Sequence, residues 1–379
     1  MQANMQTNTQ ASAPKKAPLI WLNVLVFSIT FAVAAIGVPL YALTIGISAG
    51  VWWAALGLFI YSGLSITAGY HRLWSHRTYD AHWTVRLIFA LGGALALQNS
   101  ALHWSSDHRE HHKHVDHDDN DPYSASRGFW YSHIGWMLRE YQPDKYYDYN
   151  NVKDMQRDKI VMWQHKHYLA LTLLMNIGVP ILIGVLTGQI IASLLVAGFL
   201  RLVVNHHTTF FINSLAHIWG KRPFTERNSA RDNGVLAFFT FGEGYHNFHH
   251  IFSGDYRNGI RWYQYDPTKW LIRGMSYVGL ANNLKRASDY QIEKARMDVM
   301  WSRLQERRQT TAEWMQHEYD ALMEKTKAYY MSRKKLLDAK TQEIKDQVSH
   351  SALVEQYRDM KRSFRVERRR WKRMVRAAL

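Results

Sequence analysis

No cysteine occurs among the 379 residues. That absence excludes a disulfide framework, a thiolate-bound zinc or iron–sulfur centre and a cysteine nucleophile, so any metal must be held by histidine and oxygen. Charge is missing from residues 17–45, and glycine and proline are missing after Leu284. No G-x-G-x-x-G follows a strand-like run and no His-Pro-Gly-Gly occurs, so the chain carries no signature for nicotinamide, flavin or haem. The mean hydropathy of −0.33 averages apolar runs of membrane length with strongly charged stretches.

Four runs read as membrane spans: 17–45, 49–70, 168–186 and 189–212. A helix needs roughly 20 apolar residues to cross about 30 Å of hydrocarbon. Short turns around Gly46 and Gly188 make them two helical hairpins. Arg201 lies inside the fourth run, where a guanidinium must pair or face protein. The stretch 85–101 is weakly apolar and short, and reads as a buried or interfacial helix.

This arrangement puts the polar tail 1–16, the segment 71–167 and everything after 213 on one side. That side holds essentially all the Lys and Arg, including Lys15 and Lys16, and the positive-inside rule makes it cytoplasmic. The polar start and the absence of a small-residue cleavage pattern argue against a removed signal peptide. The expected fold is therefore all-α and integral to a membrane, the inner membrane if the source is bacterial. Four transmembrane helices in two hairpins carry a cytoplasmic helical cap. The domains are the tail 1–16, a membrane domain 17–283 and a basic extension 284–379.

The extension holds 24 Lys and Arg against 14 Asp and Glu over 285–379, a net +10 of the chain's +16. Met297, Trp301 and Leu304 fall at helical spacing. Its last stretch, 361–376, is basic with interleaved aromatics such as Trp371. We read it as a cationic helix against anionic lipid headgroups rather than a nucleic-acid binder.

The chemistry sits in histidines: His71 and His76 at the end of the second span, His108-Arg-Glu-His111-His112, and His246-Asn-Phe-His249-His250. Each H-x-x-H-H sets three imidazoles on one helical face. His71 and His76, five apart, do not share an α-helical face, so the span should end or unwind between them. One such box is weak; three on one predicted side, two of them immediately beside apolar spans, make a shared metal site. Eight imidazoles exceed one tetrahedral zinc, which implies two metals. Imidazole suits zinc, copper, iron and nickel. A site with almost no carboxylate above an apolar interior points to iron and oxygen chemistry on a lipid chain.

These boxes resemble those of the membrane-bound fatty acyl desaturases, of the stearoyl-CoA (delta-9) type, over roughly residues 20 to 275. The resemblance extends to T-A-G-Y-H-R-L-W-S-H from Thr67, Gln98-Asn99, the segment from Asp107 to Lys113, Arg127-Gly-Phe129 and S-H-I-G-W from Ser132. It continues in N-S-L-A-H from Asn213 and G-E-G-Y-H-N-F-H-H from Gly242. It implies two Fe2+ ions held by nine histidines, His71, His76, His108, His111, His112, His217, His246, His249 and His250, with Asn213 reaching one iron through water. It also implies O2 as co-substrate and a saturated acyl-CoA as substrate, contacted by Asn99, Trp104, Asp107, Thr209 and Phe210. Trp104, Thr209 and Phe210 line the kink of an acyl tunnel, and Phe210 stands where the family has tryptophan.

Asp107 and Glu243 are candidate acceptors for imidazole N–H groups. Electrons would come from a separate ferredoxin, rubredoxin or cytochrome, and membrane lipid completes the partners. The remaining histidines, among them His82, His103, His114, His117, His133, His165, His167, His206 and His207, have no ligand counterpart. Basic positions that grip coenzyme A in animal members are Ser106, Glu140 and Tyr141 here, leaving Arg139, Arg127 or Lys113. A phospholipid- or carrier-protein-linked substrate is the alternative, and a related di-iron hydroxylase a more distant one.

Overall fold

The computed structural model describes residues 17–307, 313–341 and 347–378. The tail 1–16, with Lys15 and Lys16, lies outside them. Four helices are long and apolar enough to cross a membrane: α1 (Trp21–Thr44), α2 (Ala49–Ser75), α5 (Tyr168–Thr187) and α6 (Ile190–Ile218). Between α2 and α5 lie α3 (Trp83–Ala96) and α4 (Ala101–His114), bent 80° from each other. The bend is made by Leu97 and Asn99, both in the left-handed region. At 14 residues α3 is too short to cross alone, as its sequence suggested.

The apolar pattern explains the spans. Leu22, Leu25, Ile29, Leu40, Leu43, Leu182 and Leu186 are exposed, an outward face suited to hydrocarbon. Inward, Val38, Val51, Ala55, Ala192, Val196 and Ala197 pack together, small residues that let helices approach closely. The two hairpin turns are joined where Ser48 N–H donates to Gln189 Oε1 at 2.8 Å. Arg201 is buried, and donates to the Ala197 and Leu95 carbonyls and to Asn176 Oδ1. The protein-facing position expected of an intramembrane arginine is thus realised.

The second span outlasts its apolar run, continuing to Ser75. From Ser65 to Ser75 its turns widen to the π type, and all eleven residues are buried. The helix stops one residue before His76, so His71 and His76 do lie on either side of its end.

Contacts divide the chain into two compact units, one running to Ser75 and from His82 to Leu215, the other holding His76–Ala81 and the chain from Ala216 onward. The second includes a two-residue ladder, β1 (Asp80–Ala81) with β2 (Ala281–Asn282), and the histidine-bearing helix α7 (His246–Ile251).

Beyond Leu284 the expected long helix is three: α8 (Asp289–Arg307), α9 (Glu313–Thr341) and α10 (Gln347–Ala378). Met297, Trp301, Leu304, Met315, Leu322, Trp371 and Val375 form their shared core. Trp371 is only 2% exposed, so the aromatic interleaved in the basic stretch 361–376 turns into the bundle. The rings of Trp371 and Phe364 face the bundle, and Arg358, Arg362, Arg365 and Arg369 form an exposed stripe at spacings of four, three and four.

Candidate metal centre

In the first unit α2 delivers His71 and α4 delivers His108, His111 and His112. His71, His108 and His112 each offer a ring nitrogen within 4.8 Å of the others. Trp104, one turn before His108, stacks on that imidazole at 4.8 Å and meets His71 edge-on at 6.0 Å.

One side chain ties the two helices together. Arg109 donates through Nε to Ser75 O and through Nη2 to Trp74 O, capping the end of α2. Nη1 donates to Asn151 O, and the fork grips Asp154 bidentately at 2.7 and 2.8 Å. All five guanidinium N–H groups are thereby used.

The oxygens behind the ligand histidines were only partly legible in sequence. Asp121, fully buried, meets His111 Nδ1 at 2.9 Å, and the Tyr123 hydroxyl meets His108 Nδ1 at 3.2 Å. Asp107 instead lies 3.4 Å from His103, and Glu243 accepts from Asn258 at 2.6 Å. The acid-rich loop 116–121 was a visible signal for Asp121, but spacing does not say which of its carboxylates turns inward.

In the second unit, His217 Nε2 and His250 Nε2 approach His246 Nε2 at 3.1 and 3.0 Å. His217 Nδ1 is held by Ser229 Oγ at 2.7 Å. The His76 and His249 rings stand 4.7 Å apart. Helix α7 is held rigidly: Asn247 bonds Phe224 N, Thr225 O and Ala230 O, and Phe248 N–H donates to Asp232. Before it, Gly242 has φ +100°, and a β-carbon there would come within 2.5 Å of Asp266 Oδ1. Behind it Phe248 packs on Phe224 and on Ile292 of α8.

These donor sets suit a metal. Where Nδ1 of His108, His111 and His217 is occupied by oxygen, Nε2 is left as the ligand atom, the arrangement typical of metal-bound imidazole. Nitrogen lone pairs 3 Å apart repel, and a shared cation reconciles them.

The residues proposed for substrate contact all belong to the first unit. Thr209 Oγ1 accepts from Gln98 Nε2 at 2.9 Å, fastening α6 to the bend where Asn99 sits exposed. Phe210 is buried, Asp107 is half-buried, and Asn213 ends the regular α-helical part of α6. Ser106 turns inward to Asn151. Of the remaining cations, Arg127 lies over the Tyr131 and Tyr141 rings at 3.8 and 4.6 Å, and Arg139 donates to Ala17 O. Several histidines left aside in the sequence have other partners: His82 caps α3, His103 meets Tyr149, His165 meets Ser100, His133 pairs with His207, and His206 meets the Ala96 and Leu97 carbonyls.

Comparison with known proteins agrees with this arrangement. The fatty acid desaturase profile matches residues 46–281. The chain belongs to the fatty acid desaturase family. It is 50% identical over 248 residues to acyl-CoA desaturase 1 of Saccharomyces cerevisiae, covering 63% of this chain and 48% of that protein. It is 36% identical over 279 residues to stearoyl-CoA desaturase 5 of Bos taurus, covering 73% and 82%. It is 34% identical over 292 residues to the sn-2 palmitoyl-lipid 9-desaturase of a Nostoc species, covering 74% and 96%. The matches with the yeast protein and with a Schizosaccharomyces pombe relative take in about half the length of each.

Proposed function

We propose that the protein is an oxygen-dependent acyl-CoA desaturase that inserts a cis double bond, at the delta-9 position, into a saturated chain. The observation that carries this reading is the pair of imidazole groups beside apolar spans in a member of this family. Two Fe2+ ions would be held by nine histidines, His71, His76, His108, His111, His112, His217, His246, His249 and His250, with Asn213 near one iron through water. The irons, when bound, supply the reduction of O2 that removes two hydrogens from neighbouring methylenes, with two electrons and two protons entering and two waters leaving.

The chain's own residues fix geometry. Asp121, Tyr123 and Ser229 orient imidazoles, and Arg109 locks α2 to α4. Trp104, Thr209 and Phe210 hold the acyl chain in register, while Asn99 and Asp107 meet the carrier.

The histidines and both termini face the cytoplasm, and the membrane is the inner one if the source is bacterial. The membrane domain is 17–283, and 284–379 is a basic extension. Electrons come from a separate ferredoxin, rubredoxin or cytochrome, and the Arg358 to Arg369 stripe supports attraction of an acidic donor. A phospholipid-linked substrate is the second reading. It is favoured by the inward turn of Ser106, the engagement of Arg127 and Arg139, and the lipid named in the Nostoc relative.

The test gives purified protein one saturated acyl group as CoA thioester, acyl-carrier-protein thioester and phospholipid ester, with one reductant, alongside anaerobic iron quantitation. About two irons per chain and preference for the CoA thioester support the proposal. Preference for the phospholipid sinks the carrier assignment, and absence of iron sinks the catalytic one.

A further inference from the structure

Outside the histidine boxes the first unit holds an open cleft of about 530 Å³, walled by Trp83 and Arg86 of α3 and by Arg157, Asp158, Lys159 and Ile160. It stands beside a membrane entry. The short helix Lys159–Lys166 is followed within two residues by α5, which begins at Tyr168. Trp83 is 59% and Trp163 40% exposed, and indole rings, apolar with one polar edge, favour the level of the lipid headgroups.

The charges of this cleft do not cancel. Two carboxylates reach it, those of Asp154 and Asp158, and both are engaged. Arg109 grips Asp154 through both oxygens. Asp158 accepts from the Ile160 and Val161 N–H groups and pairs with Arg86 Nη2. Arg157 and Lys159 are exposed and meet no acid among the described residues. Arg86 has donors to spare: its Nε is buried without an acceptor among those residues, and a carboxylate already shared with two backbone donors does not satisfy five guanidinium N–H groups. Three cations thus line a cleft whose acids are committed to other donors, which is the complement of a phosphate.

We propose that this cleft binds the phosphate of an anionic phospholipid headgroup, held by Arg86, Arg157 and Lys159, with the acyl chains passing Trp83 into the bilayer. Free phosphate shares the headgroup's chemistry but gains nothing from the exposed indoles or the adjoining span. A zwitterionic phosphatidylcholine brings its own cation and so gains less from three others. The inference is independent of the reaction the histidine boxes perform.

The experiment uses the full-length protein in phosphatidylcholine nanodiscs doped with one of two photoreactive probes, a phosphatidylglycerol or a phosphatidylcholine carrying the same diazirine near the glycerol backbone. The phosphatidylglycerol should label Trp83 and residues 160–163 about tenfold more than the phosphatidylcholine does. Arg157→Gln with Lys159→Gln should abolish that preference, and Arg157→Lys with Lys159→Arg should retain it; both positions are exposed and unpaired among the described residues, so the fold does not depend on them. Arg362→Gln with Arg365→Gln, on α10, should leave it unchanged, which separates the cleft from the chain's general positive charge. Equal labelling by the two lipids would overturn the proposal, as would a preference that survives the first glutamine pair or disappears with the second. Loss of labelling to inorganic phosphate at matched ionic strength would assign the cleft to a soluble anion and overturn the lipid.

Discussion

Replacing Arg109 with lysine tests whether the histidine-bearing helices are held in register by that one guanidinium. Lysine keeps the charge but has three donors on a point-like head, so it cannot bridge Trp74 O, Ser75 O, Asn151 O and both Asp154 oxygens at once. Asp154 is one-third exposed, so the ion pair itself contributes only about 1 kcal/mol. The carbonyls weigh more. Two of the three lose their donor, at about 1–3 kcal/mol each, giving a total near 4 kcal/mol. Against a stability of about 5–15 kcal/mol the variant still folds. The end of α2 is nonetheless freed beside His71. The expected result is a melting temperature several degrees lower and iron content well below two per chain at a temperature where the variant remains folded. Arg86→Lys is the control, since Arg86 pairs with Asp158 away from any histidine box and should leave iron unchanged. Full iron and an unshifted melt in Arg109→Lys would refute the reasoning.

His108→Ala and His249→Ala should each abolish product and lower bound iron, whereas His114→Ala and His117→Ala should keep both; product assay and metal analysis decide. Truncation near residue 350 removes Trp371 and Val375 from the three-helix core, so it should cost about 3–5 kcal/mol in melting experiments yet retain iron. Truncation after Leu284 strips Ile292 from Phe248 and should lose iron as well. Stability should also fall as pH is lowered from about 6.5 to 4. Burial, with His165 beside one and His207 beside the other, depresses His103 and His133 to about 4. Between those values the unfolded chain binds more protons than the folded one, so the sign follows. Melts across that range check it, and a flat profile would count against buried neutral imidazoles.

How much was legible in the sequence followed the range of the interactions involved. Spans, hairpin turns and the interior position of Arg201 are written in local hydropathy and in the cost of burying charge, and they stand within a few residues of where the pattern put them. The end of α2 was harder. Its polar last turns, Tyr70 to Ser75, carry no apolar periodicity, because the widened helix there is sustained by packing and by the Arg109 cap from 34 residues away. The histidine boxes announce themselves by spacing. Their orienting oxygens do not, since Asp121, Tyr123 and Ser229 lie 10, 15 and 12 residues from the rings they hold and share no helix with them.

The basic extension shows the same limit from the other side. Composition gives its charge but not where its aromatics turn, for the direction Trp371 faces is decided by Trp301 and Tyr319 on two other helices, 5.8 and 5.7 Å away. Once those rings close the core, the arginines at 358, 362, 365 and 369 have only the opposite face of α10 available. The exposed cationic stripe is therefore a consequence of the buried aromatic one. Because α8, in the same bundle, packs through Ile292 on the Phe248 ring of the helix carrying His246, His249 and His250, whatever binds the stripe acts on a structure continuous with a histidine box.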